Sequence, residues 1–131
     1  MILINFSHPV TDDQIQQVQS LSGISITQVL DVAVQFDNRR PYHEQIASLL
    51  RGLPLTADDW QTRPILVNPP ALNYIAVLLI AELHGRMGYF PPVMRLRQLS
   101  SAMPPAFEVA EILNLQAVRE QARGTRSGDR S

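Results

Sequence analysis

The segment PILVNPPALNYIAVLLIAELHG, Pro64 to Gly85, constrains the fold more than any other part of the chain. Its most apolar stretch, Ala71 to Ala81, is interrupted by Asn73 and followed by Glu82 and His84. It therefore falls short of the roughly 20 apolar residues that a bilayer span requires. A buried element of a globular domain remains. Ile65, Leu66 and Val67 read as a buried strand, and Asn68 reads as the cap of a helix begun by Pro69 and Pro70, because proline is tolerated where the first amides lack intrahelical partners. Leu72, Ile75, Ala76, Leu79, Ile80 and Leu83 recur at helical spacing, while Val77 and Leu78 carry the apolar surface further round the cylinder. One sheet face covers only part of that surface. The rest is expected against another helix or a second subunit.

The same alternation of strand and helix runs through the chain. Ile2 to Phe6 reads as a buried strand. Thr11 then offers a capping residue with Gln14 at the capping-box position, and Val10 and Ile15 form a hydrophobic staple. Ile15, Val18 and Leu21 give the helix an apolar face that ends at Ser22-Gly23. The β-branched run that follows predicts a strand near residues 28 to 36. Pro41 opens a second helix packed through Ile46, Leu49 and Leu50, and Thr56 caps a short turn with Asp58, Asp59 and a packing Trp60. After the segment above, Gly85 and Gly88 mark the descent from the helix. VMRLRQL, Val93 to Leu99, alternates like a partly exposed strand. Phe107 to Leu113 is expected to pair with it as a hairpin, and Asn114 begins a short helix through Arg119. Residues 1–121 thus read as one domain and 122–131 as a frayed tail. The order predicts a small Rossmann-like α/β domain: a mainly parallel sheet with helices on both faces and a late antiparallel hairpin.

Composition narrows the function. A chain of 131 residues with 45% hydrophobic and 18% charged residues suits one globular domain. With Lys+Arg 11 against Asp+Glu 12, nothing draws it to duplex DNA, although a small focused phosphate site stays open. The absence of cysteine excludes disulfides, a thiol nucleophile and thiolate metal sites, and a cytoplasmic location fits. No histidine pair or acid cluster proposes a metal, and no cofactor is implied.

In open parallel sheets, ligands gather at the carboxyl ends of the strands. Asn5, Ser7 and His8 follow the first strand. Arg39 and Arg40 follow the second, as phosphate contacts or solvated charges. Asn68 follows the third, as a helix cap, a ligand contact or both. Pro69 and Pro70 remove two amides, so the turn reads as a rigid wall or an adenine-side contact rather than a phosphate nest. His8 is the loop histidine best placed for recognition or acid–base work. His84 reads as a ligand contact or a helix C-terminal electrostatic contact, with Arg86 just beyond it. There is no GxGxxG, no phosphate-loop lysine and no GxSxG elbow, so dinucleotide dehydrogenase, nucleotide hydrolase and serine hydrolase readings are disfavoured. No residue is assigned a catalytic role.

The blocks LINFSHPVT, QFD, ILVNPP, AELHGRMG and EILNLQAVRE cover much of residues 1 to about 121. They resemble a small CRISPR-associated accessory family found with type III systems and related to the Rossmann-like (CARF) sensors of cyclic oligoadenylate. The resemblance implies a homodimer, with higher assembly open, that binds a ring such as cyclic tetra-adenylate across its two-fold axis. It points to Asn5, Ser7 and His8, to Asn68 with Pro69, to His84, Gly85 and Arg86, and to Asn114 and Gln116. Two activities follow as expectations. One is capture, which lowers the free messenger. The other is metal-independent ring cleavage, in which a ribose 2′-hydroxyl attacks the adjacent phosphate with His8 as the assisting group. A structural or protein-interaction subunit without a ligand is the alternative of a different class.

Overall fold

The computed structural model describes residues 1–127. Strands β1 (Ile2–Asn5), β2 (Gln28–Asp31), β3 (Ile65–Asn68), β4 (Val93–Gln98) and β5 (Phe107–Leu113) form one five-stranded sheet in the order β2-β1-β3-β4-β5. The first four run parallel, and β5 returns antiparallel to β4. The expected α/β domain with a mostly parallel sheet and a late hairpin is what the chain forms.

Side-chain alternation sorts the core into two layers. Ile2, Ile4, Ile65 and Val67 face one way, against Ile46 and Leu50 of α2 (Tyr42–Arg51), Trp60 of α3 (Ala57–Thr62) and Ile75, Leu79 and Leu83 of α4 (Asn73–Met87). Leu3 and Leu66 face the other way with Met94 and Val109, against Val18 of α1 (Asp12–Ser22). Each buried aliphatic side chain contributes about 1.5–3 kcal/mol. No helix among the described residues is long and apolar enough to cross a membrane.

The local signals at the helix ends work as their residues dictate. Thr11 accepts from the Gln14 amide while the Gln14 side chain accepts from the Thr11 amide, closing the capping box of α1. Thr56 and Asp59 repeat the device on α3. The amide hydrogen bond from Thr56 holds the Asp59 carboxyl below its ordinary value.

Four boundaries differ from the sequence reading. The second strand stops at Asp31 rather than running to Phe36. Its ladder ends with β1, after a last bond from the Val32 amide to the Asn5 carbonyl, and Val34 and Phe36 then pack into the helical layer, where the Phe36 ring lies 5.7 Å from that of Tyr42. Asn68 caps no helix. Proline disfavours helical backbone in the residue before it, so Asn68 and Pro69 cannot open one, and α4 begins at Asn73 with Leu72 before it. Gly85 lies inside α4, which closes only at Gly88, where φ is 83°. The final helix, α5 (Leu115–Arg123), passes Arg119 and runs into a 3-10 turn at Gly124–Ser127. Glu120 holds this extension by accepting from Gln116 and pairing with Arg123, so helical backbone continues through residues 122–127. Residues 128–131 of the expected tail lie outside the described residues.

Candidate functional site

The chain reverses its winding around β1. The connection through α1 leads to β2 on one side of β1, and the connection through α2 and α3 leads to β3 on the other, on opposite faces of the sheet. The carboxyl ends of β1 and β3 therefore flank a switch point, where the loops part and leave a crevice.

Each of the three strands there ends on a polar residue, and the register aligns them: Asp31 beside Asn5, and Asn5 beside Asn68. Asn5 is 1% exposed and Asn68 4%. Their side chains form a continuous row. Asn68 Nδ2 donates to Asn5 Oδ1 at 2.9 Å, and Asn5 Nδ2 donates to Asp31 Oδ1 at 2.9 Å. Asn5 also folds the loop that follows it, donating to the His8 carbonyl at 2.9 Å and accepting from the Ser7 amide at 3.1 Å. Burial of these polar groups is tolerable because each bond made inside replaces one to water.

The hairpin walls this crevice. Val93 is level with Val67, so β4 outruns β3 by the residues from Arg95 to Gln98, about 13 Å of strand. Two glutamines of α1 tie the overhang down: Gln14 Nε2 donates to the Phe107 carbonyl, and Gln17 Oε1 accepts from the Val109 amide. Arg95 pairs with Glu111 and Arg97 with Glu108 across the strands. A cleft of about 600 Å³ opens between this wall and the loop after β1, lined by Ser7, His8, Thr11, Gln14, Leu96 and Phe107 among others. A depression of about 370 Å³ joins Ser7 to Asn68, Pro69, Arg95 and Leu96. Another of about 260 Å³ joins Ser7 and His8 to Val34, Pro70 and Leu72. Ser7 borders all three, so the loop after β1 is the centre of the crevice.

The structure divides the sequence-derived candidates. Asn5, Ser7, His8, Asn68 and Pro69 come together as described. Arg39 lies in the loop beyond β2 with its side chain in solvent, paired loosely with Asp37 at 3.7 Å. His84, Gly85 and Arg86 sit near the far end of α4, which descends from the carboxyl to the amino side of the sheet. There the His84 ring packs 4.3 Å from that of Phe90, and Arg86 donates to Glu82, which also meets His43 at 3.2 Å. Because β5 runs backwards, Asn114 and Gln116 also follow it away from the crevice. Asn114 caps α5 through the Ala117 amide, and Gln116 accepts from the Phe90 amide at 2.9 Å. None of these five residues lines the cleft or the depressions around Ser7.

Sequence reasoning missed Asp31, Gln14, Gln17 and the hairpin wall. Asp31 had a signal, being the polar residue that closes a strand parallel to those ending in Asn5 and Asn68. The overhang had none, because it depends on register. No group of three or more His, Asp or Glu among the described residues is placed to hold a metal ion. The crevice offers amides, hydroxyls, an imidazole, the Asp13 carboxylate, the Arg95 guanidinium and flat apolar walls, the equipment for binding a polar ligand with planar parts. Comparison with protein-family models, curated proteins and solved structures finds no match to this chain.

Proposed function

We propose that the chain binds a cyclic oligoadenylate, with cyclic tetra-adenylate as the ring that the sequence resemblance implies. Capture lowers the messenger's free concentration and damps type III CRISPR signalling. The observation that carries this reading is the buried Asp31–Asn5–Asn68 row, which fixes the Ser7–His8 loop at the switch point of the mostly parallel sheet. Ring phosphates need NH and OH donors, and the Ser7 and Thr11 hydroxyls and the His8 imidazole line the cleft to supply them. Adenines need flat apolar surface, and Pro69, Pro70 and Leu96 line the depressions beside Ser7.

A two-fold arrangement suits such a ring, since a symmetric ligand meets the same loop twice. The start of α4 supports it: Tyr74 is 71% and Val77 69% exposed, and the neighbouring Leu72 lines the depression it shares with Ser7 and His8. Capture is preferred to cleavage because the crevice assembles hydrogen-bonding groups around one imidazole.

Titration calorimetry with cyclic tri-, tetra- and hexa-adenylate tests the proposal. The expected result is one ring bound per two protomers. No heat and no melting shift with any ring would reject it in favour of an interaction module. Multiple-turnover conversion of excess ring to linear product would replace capture with ring cleavage.

A further inference from the structure

Asn68 is the one buried member of the polar row with hydrogen-bonding capacity to spare, at its Oδ1 and at the second N–H of Nδ2. The orientation of its amide follows from its neighbours. The Ser7 amide can only donate, so the Asn5 atom 3.1 Å from it is Oδ1. The His8 carbonyl can only accept, so the Asn5 atom 2.9 Å from it is Nδ2, and the Asp31 carboxylate agrees. Turning the Asn5 amide over would set N–H against NH2 and oxygen against oxygen. With Oδ1 of Asn5 thus facing Asn68, the Asn68 atom 2.9 Å away must be Nδ2. Its Oδ1 points elsewhere.

No described residue donates to that oxygen. Beyond Asn68 in the sheet lies Met94, which packs into the apolar layer under α1. No buried side-chain polar atom lacks a partner among the described residues, so the oxygen keeps an open edge. The opening available to it is the depression among Ser7, Pro69, Arg95 and Leu96, which Asn68 itself lines. A ligand group that meets Oδ1 in this depression meets an acceptor, because Oδ1 and Nδ2 cannot change places without breaking the row, and the second N–H of Nδ2 stays on the other atom of the amide.

The geometry points to Asn68 Oδ1 as a specificity-determining acceptor that selects a base with an exocyclic amine over one with a keto oxygen at the same position. This rests on the ring-binding reading above and deepens it. Adenine presents its 6-amine to the acceptor, with its ring against Pro69. Hypoxanthine presents a 6-oxo group, and the two oxygens oppose each other across the contact. A site built to hydrogen-bond a group rejects the analogue lacking it far more strongly than an apolar pocket rejects a change of shape.

The test measures affinities of the full chain for cyclic tetra-adenylate and cyclic tetra-inosinate by calorimetry, in wild type and in Asn68→Ala. Wild type is expected to prefer the adenine ring by on the order of tenfold or more. In Asn68→Ala the ratio should fall to within about threefold, because removing the acceptor removes the penalty on the oxo group. Wild-type affinities within about twofold of each other, or an unchanged ratio in the variant, would overturn the inference and leave capture standing. If wild type binds neither ring, capture fails and this inference falls with it. Should the variant not fold, wild type is titrated with a ring of 6-dimethylaminopurines, which cannot donate: affinity equal to the adenine ring overturns the assignment, and loss of binding supports it.

Discussion

Replacing Asn5 tests the polar row. Four hydrogen bonds meet at its side chain: two donated, to the His8 carbonyl and Asp31, and two accepted, from the Ser7 amide and Asn68. In Asn5→Ala all four go. Ser7, His8 and Asp31 are exposed and rehydrate, so each loss costs only the net worth of a bond, about 0.5 kcal/mol at the low end. Asn68 is buried, and stranding its amide costs about 1–3 kcal/mol. The sum is about 3 kcal/mol, which for a domain of this size lowers Tm by about 10 °C. Asn5→Asp separates polarity from volume. It keeps the shape and both acceptors, but it loses both donors and sets a second carboxylate where Nδ2 lay, 2.9 Å from Asp31 Oδ1. At pH 7 it should melt at or below Asn5→Ala. In mild acid one carboxyl of the introduced pair takes a proton and again supplies a donor, so Asn5→Asp should rise above Asn5→Ala, each read against wild type at the same pH. Thermal melts followed by circular dichroism at pH 7 and in mild acid read both effects. An Asn5→Asp protein melting within about 1 °C of wild type at pH 7 would show that the site needs only volume and would refute the row as described.

Gln17→Ala should cost about 1–3 kcal/mol and speed hydrogen exchange at the Val109 amide, whose partner it removes, while exchange in α4 stays unchanged; unchanged exchange at Val109 would mean that α1 does not hold the hairpin. For Asp59 the folded-state pKa lies below the ordinary 3.8, so its contribution to stability is complete above that value and is lost as pH falls through the lower, folded-state value. The Tm gap between wild type and Asp59→Ala should therefore be present at neutral pH and close in strong acid. A gap that widens on acidification would contradict the sign.

How much of this was legible beforehand depended on the range of the interaction. Capping boxes are local, and Thr11 with Gln14 and Thr56 as a cap were readable from residues three apart. The hairpin strands were readable from alternation at VMRLRQL. Asn68 was readable in two ways, since a polar residue before two prolines resembles a helix cap. The restriction that proline places on its predecessor decides against the cap and frees the side chain for Asn5. His84, Arg86, Asn114 and Gln116 show the opposite limit. Their residue types suit ligand binding as well as they suit the jobs they hold in the fold, and only the direction of α4 and β5 separates them from the crevice.

Register carries what no local pattern could. Had β4 started level with β3, the hairpin would end with the sheet, and the loop after β1 would face open solvent. Starting at Val93 beside Val67, it projects past Asn68 and turns the end of the sheet into a walled crevice. The same shift places apolar Met94 beside Asn68, so the row of polar strand ends stops there with its last carbonyl unclaimed. A row serving only to finish the sheet would close on itself, as it does at Asn5, where every donor and acceptor is used. Selection among bases therefore hangs on the unclaimed oxygen of Asn68 rather than on the imidazole of His8. A histidine in an exposed loop has many uses, whereas an acceptor held in one direction at the edge of a depression discriminates among the groups that meet it.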